Sequence, residues 1–195
     1  SGETTLVSST PTGDTPNGWS KNAVISNDGR FVYYESLASD IAGGVEGANK
    51  IIRFDSQNQS NELIPYDYEL YLIDQFPYFG GALTRSALAQ TRVSNDGYKL
   101  CLRSDVRINT MIQTTSAVLD TISQTVSHRF YGECLEFVNS DNALYVISDE
   151  NLVYELGKSG TGNLFSIDLV TEDYVPLFDE SVFENMTKPY VMTVD

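Results

Sequence analysis

One phrase recurs along this chain. Residues 25–36 read ISNDGRFVYYES, residues 93–104 read VSNDGYKLCLRS, and residues 138–148 read VNSDNALYVIS. Each copy is a strand end, a tight polar turn and a second strand of bulky β-formers, the pattern of a hairpin. A self-similar unit of this kind belongs to a repeat architecture, and here the unit is all-β.

The segments between the copies complete the units. In the first, strands are expected at Asn22–Ser26, Arg30–Ser36, Lys50–Asp55 and Glu62–Tyr66. In the third they are expected at Cys134–Val138, Ala143–Ser148, Asn163–Asp168 and Tyr174–Phe178. The third strands of these two units, KIIRFD and NLFSID, both end in Asp before a polar turn. The second unit has Ala89–Ser94 and Tyr98–Ser104, with Val118–Thr121 and Thr125–Tyr131 as its later strands. There SAVLDTISQTVSHRF also fits a short amphipathic helix.

Asp28 and Asp96 lie 68 residues apart, and Asp96 and Asp141 lie 45 apart. The shorter interval matches the ~40–45 residues of one four-stranded propeller blade. The longer one contains an insertion at 67–83. The expected fold is therefore all-β, made of propeller-like four-stranded antiparallel blades at about 20–66, 84–131 and 132–178. A partial blade is expected at 181–195, because KPYVMTVD can be laid on KNAVISND of residues 21–28. Thr4–Ser8 (TTLVS) has the size of an unpaired outermost strand, and the array reads as part of a longer one or as one that pairs with another copy.

ISNDGRFVYYES followed by LASDIAGGVEGANKIIRFD resembles the TolB-like, WD-related propeller repeat. The first unit follows that repeat nearly throughout. The second follows it only across VSNDGYKLCLRS, and the third has SDN in place of S-x-D-G. The resemblance implies a propeller fold and an exported bacterial protein, periplasmic or extracellular. It implies no particular activity, since such propellers serve as scaffolds, lids and binding platforms. The motif itself is structural in its chemistry. Ser26 and Ser94 can bond the turn backbone, Asp28 and Asp96 can accept turn N–H groups, and Gly29 and Gly97 supply a left-handed conformation.

Charge narrows the partners. Asp and Glu number 27 against 12 Lys and Arg, a formal charge of −15. Such a surface repels nucleic-acid backbones and anionic lipid headgroups, and no run approaches the ~20 apolar residues of a membrane span. The chain opens Ser-Gly rather than Met, which reads as a processed start and leaves export undecided. Cys101 and Cys134 are not in CxxC spacing and read as two buried thiols, with an inter-strand disulfide as the alternative.

Enzyme chemistry finds little support. A nucleophile elbow, G-x-S-x-G, does not occur, and His128 is the only histidine. Acidic pairs for glycoside cleavage are certain by chance among 27 acids. No calcium-loop string occurs, so the acidic loops, Ser39-Asp40 with GGVEGAN and Asp173 to Glu184, read as solvated and no metal or cofactor is expected. The best binding candidate is the insertion, where Tyr66, Tyr68, Tyr71, Phe76, Tyr78 and Phe79 stand among Asp67, Glu69 and Asp74. The expected function is a non-catalytic binding or scaffold module for a protein partner. The alternative is the accessory propeller of a larger hydrolase. A third possibility is that two copies close a ring by symmetry.

Overall fold

The computed structural model describes residue 2 and residues 4–43, 50–64, 91–108, 111–138, 142–148, 164–171 and 173–177. These residues form antiparallel strands and turns, with no helix among them. The first sheet is a meander of β1 (Ser20–Ile25), β2 (Phe31–Ser36), β3 (Lys50–Asp55) and β4 (Ser60–Ile64), hydrogen-bonded in that order. The second is built from β5 (Arg92–Val93), β6 (Lys99–Ile108), β7 (Met111–Asp120) and the first half of β8 (Thr125–Val138). The third takes the second half of β8, then β9 (Ala143–Ser148), β10 (Leu164–Asp168) and β11 (Tyr174–Pro176).

β8 is thus shared. It pairs with β7 up to Tyr131 and with β9 from Gly132 onward. Gly132 has φ +135°, a conformation that favours glycine. The strand must double back there, because Cys134 reaches Cys101 on β6, two strands away from His128 through the Cys101–Val118 and Val118–His128 pairs. A flat continuation of the ladder would carry Cys134 roughly 20 Å further along at ~3.3 Å per residue.

The sheets pack face to face, and strand periodicity decides which face each residue serves. Phe31, Tyr33, Ile51 and Ile64 of the first sheet meet Leu100, Leu102 and Leu119 of the second in one buried cluster. Cys101, Val118 and Phe130 of the second meet Cys134, Phe137, Phe165 and Ile167 in another. Each fully buried Phe, Ile or Leu contributes about 1.5–3 kcal/mol relative to exposure. Four-stranded sheets stacked this way are propeller blades.

Several expectations need correction. Residues 111–120 and 125–131 are strands joined by a turn, so the helical reading of SAVLDTISQTVSHRF fails, and the third strand of that blade begins at Met111 rather than Val118. Ladder partners on both sides override the local 3.6-residue pattern. Thr4–Ser8 is not a strand; Val7 instead packs in an irregular arm against Tyr34, Ala38, Ile41, Ile52 and Phe54 of the first blade. Cys101 and Cys134 are buried, but they are joined in a disulfide with Cα atoms 6.3 Å apart. Their sheets differ, and only the stacking of blades brings them together. The partial blade expected at 181–195 lies outside the described residues.

Candidate functional site

The blade turns begin with serine. The Ser26 hydroxyl accepts the Phe31 N–H at 2.9 Å and donates to Asp28 Oδ1 at 2.6 Å. Asp28 Oδ1 also accepts the Arg30 N–H at 3.0 Å, and the Gly29 N–H reaches the Ser26 carbonyl at 2.9 Å. The second blade repeats this. Ser94 Oγ accepts from Lys99 at 2.8 Å and donates to Asp96 at 2.6 Å, and Asp96 accepts from Tyr98 at 2.9 Å. Gly29 and Gly97 have φ +73° and +78°. The Ser26 hydroxyl and then the Arg30 N–H hold the Asp28 carboxyl below its ordinary range.

The two glycines differ in surroundings. A Cβ at Gly29 would meet nothing, whereas one at Gly97 would lie 2.5 Å from Phe31 Cδ2. The second blade's turn therefore nests on the first blade. Tyr33 of β2 donates its hydroxyl to the Gly97 carbonyl, and its oxygen lies 3.2 Å from the Thr121 hydroxyl. Burial raises the Tyr33 pKa, so the phenol stays a donor.

A second set of turns sits beside the first. Asp55 accepts the N–H groups of Gln57 and Asn58, Asp120 those of Ile122 and Ser123, and Asp168 those of Val170 and Thr171. Sequence reading found Asp55 and Asp168 and missed Asp120, because TISQ does not look like a polar turn. The next residue in each blade, Ser56, Thr121 or Leu169, donates its N–H to the carbonyl of Arg30, Tyr98 or Asn142. That shared bond places Asn142 where Arg30 and Tyr98 stand.

All three carboxyls at these strand ends are held low. Arg30 does so first for Asp55, with Arg30 Nη2 2.9 Å from Asp55 Oδ2. For Asp168 the Thr171 and Val170 N–H groups are the cause. At Asp120 burial pushes upward and is outweighed by the N–H groups of Ser123 and Ile122.

In a meander the first and third turns fall at the same end of the sheet, and the contact of Gly97 with Phe31 and the fold-back of β8 bring those ends together across blades. The result is one turn-lined face carrying Asp28, Asp96, Asp120, Asp168 and Asp173. Two apolar side chains stand out from it, Ile122 at 68 % exposure and Val170 at 73 %. They occupy the same turn position in adjacent blades; the first blade has Gln57 there.

The aromatic candidates Tyr66, Tyr68, Tyr71, Phe76, Tyr78 and Phe79 lie outside the described residues. His128 is buried, with Nδ1 2.9 Å from the Ser127 hydroxyl. Asp40, in the acidic loop, accepts the Asn17 N–H at 3.1 Å, while Ser39 and Asn17 bond one another at 2.9 and 3.0 Å. Among the described residues no group of three or more His, Cys, Asp and Glu could hold a metal ion, and no helix is long and apolar enough to cross a membrane.

No family model matches the chain, and neither does any curated protein. Solved structures do. Acylaminoacyl peptidase from Pyrococcus horikoshii aligns with a TM-score of 0.51 at 12 % identity, covering 83 % of this chain and 25 % of that one. TolB from Acinetobacter baumannii aligns at 0.47 and 14 %, covering 84 % and 33 %. The β-propeller domain of the Trilobed protease from Pyrococcus furiosus aligns at 0.45 and 13 %, covering 83 % and 44 %. The chain spans a quarter to under half the length of these structures. The likeness is one of fold: consecutive four-stranded blades of a β-propeller.

Proposed function

We propose that the chain is a non-catalytic binding or scaffold module whose turn face receives a protein partner with a basic and apolar contact surface. The exposure of Ile122 and Val170 supports this reading most directly. At positions 122 and 170 the turn bonds use the backbone N–H groups, so these bonds do not require an apolar side chain at either position. Exposed apolar groups ringed by charge are a feature of contact surfaces. The surrounding carboxylates would steer a basic partner and set its orientation. The aromatic insertion, through Tyr78 and Phe79, is a second contact region in this proposal. A photo-crosslinking residue placed at 122 or 170 is expected to give one discrete product in cells, and one at 57 none. Absence of product at both 122 and 170 overturns the reading.

The disulfide supports an exported location, since such bonds persist in oxidising compartments. Alkylation of the denatured protein without reductant should leave both cysteines unmodified.

A second reading is the accessory propeller of a larger hydrolase. The likeness to acylaminoacyl peptidase, of which the chain covers only 25 %, favours it. A hydrolase domain encoded in the same reading frame would decide for it.

A further inference from the structure

We infer that Asn17 is a site of spontaneous covalent modification, deamidation through the backbone of Gly18, and that this modification undoes the clamp between the chain ahead of β1 and the loop after β2. Asn17-Gly18 is the only Asn-Gly pair in the sequence. It lies just before β1 and beside the end of β2, at the other end of the first sheet from the Ser26–Phe31 turn, so the inference does not depend on the role of the turn face. Asn17 Nδ2 donates to Ser39 Oγ at 2.9 Å, and Asn17 Oδ1 accepts the Ser39 N–H at 3.0 Å. The Asn17 N–H meets both carboxylate oxygens of Asp40 at 3.1 Å. Gly18 lies against the same loop: a Cβ there would stand 2.6 Å from the Ala38 nitrogen and 2.8 Å from its Cα. Only glycine lets two backbones approach so closely, so the packing itself fixes the residue that follows Asn17.

The chemistry needs only water. The Gly18 backbone nitrogen attacks Cγ of Asn17, and the new Cγ–N bond closes a five-membered succinimide. The Cγ–Nδ2 bond breaks, and ammonia leaves with the proton that the Gly18 amide gives up. Water then opens the ring at either carbonyl, giving an aspartate or an isoaspartate at position 17. Glycine favours the attack because no side chain shields its nitrogen. The clamp restrains it, since the carboxamide has to leave Ser39 before Cγ can turn toward Gly18. Both bonds to Ser39 are exposed, and bonds of that kind open locally without global unfolding. The product cannot rebuild the clamp. The donor to Ser39 Oγ is gone, and a carboxylate takes its place beside that of Asp40, where like charges repel. An isoaspartate also lengthens the main chain where Gly18 nests on Ala38. Ala38 and Ile41 of this loop are buried with Tyr34, Ile52 and Phe54 on the outward side of the first blade, so a loosened loop uncovers that apolar side.

The test keeps the full folded chain at mildly alkaline pH for several weeks and follows it by peptide mass mapping. The peptide carrying residue 17 should gain one mass unit and become a substrate for an isoaspartyl methyltransferase, ahead of the peptides carrying Asn27 and Asn95. Asn17→Gln should gain no mass there, and Ser39→Ala should gain it at least threefold faster than the wild type. In the modified fraction, hydrogen exchange across residues 37–42 should rise at least threefold, while exchange in β6 and β7 stays unchanged. No mass gain at residue 17 in the folded wild type overturns the site. Unchanged exchange across 37–42 in the modified fraction overturns its effect on the clamp. If Ser39→Ala does not melt cooperatively, Asp40→Asn is measured in the same way, and a rate equal to that of the wild type overturns the restraint by the clamp.

Discussion

Ile52 and Phe54, on the outward side of the first blade, are buried, while Leu164 and Ser166, on the outward side of the third, are half-exposed. The two pairs belong to opposite sides of the same third strand. Ile52 and Phe54 correspond to Ala117 and Leu119 and to Phe165 and Ile167, all buried against the preceding blade or, in the first blade, against the arm. Leu164 and Ser166 correspond to Ile51 and Arg53 and to Ser116 and Val118. The blade is therefore two-sided. One side is uniformly apolar; the other mixes apolar and polar residues, buried at Ile51, Ser116 and Val118 of the first two blades and half-exposed at Leu164 and Ser166 of the third. The chain covers the first side with an arm, tied down by Asn61 and by the Asn17–Asp40 clamp.

That contrast breaks first at its largest effect. Phe54→Ala should cost about 3–5 kcal/mol, as for any well-packed phenylalanine, and Phe165→Ala should cost a similar amount. Leu164→Ala should cost less than ~1 kcal/mol. Equal losses at Phe54 and Leu164 in denaturant titrations would remove the distinction.

Reducing the Cys101–Cys134 bond, which closes a separation of 33 residues, should cost roughly 3–4 kcal/mol on chain-entropy grounds. Hydrogen exchange should then rise in β9 and β10 before it rises in β2 and β3. The reverse order would mean that the arm, rather than the disulfide, is the weaker tie.

Gly97→Val meets both an unfavourable φ and the ring of Phe31, and should cost about 2–4 kcal/mol. Gly29→Val, with open space around it, should cost about 1–2 kcal/mol from backbone strain alone. Thermal melts of the two variants sharpen the comparison between a solvent-facing turn and a nested one.

The smallest effect is with pH. Asp28, Asp55, Asp120 and Asp168 all have lowered pKa values in the folded chain. Their stabilisation is complete above the unfolded carboxyl value of about 3.9 and is lost as pH falls through the lowered folded values. Melting midpoints should be flat from pH 7 to 5 and decline below about pH 4. A decline starting near pH 6 would remove these carboxylates as the cause.

The hairpin turns were legible because Ser, Asp and Gly each have a local reason to stand where they do. Asp55 and Asp168 were legible for the same reason. Asp120 was not, since its turn reads TISQ and only the Ile122 and Ser123 N–H bonds reveal it. The arm does not form the strand its β-propensity predicts, because that propensity depends on packing partners and Val7 and Ser8 instead form a turn against the first blade. The Cys101–Cys134 bond was illegible for a related cause: it joins two sheets, and its distance depends on the fold-back at Gly132. Ile122 and Val170 draw notice only when their solvent exposure is known.

The partner switch within β8 has a practical consequence. Tyr131 belongs to one ladder and Gly132 to the next, so no spare residue separates the second blade from the third. Lengthening the chain there by even one residue would throw one ladder out of phase and turn its side chains over. Between β4 and β5 the sequence runs for 27 residues, 65–91. An affinity tag or reporter should therefore never be grafted at the Tyr131–Gly132 joint.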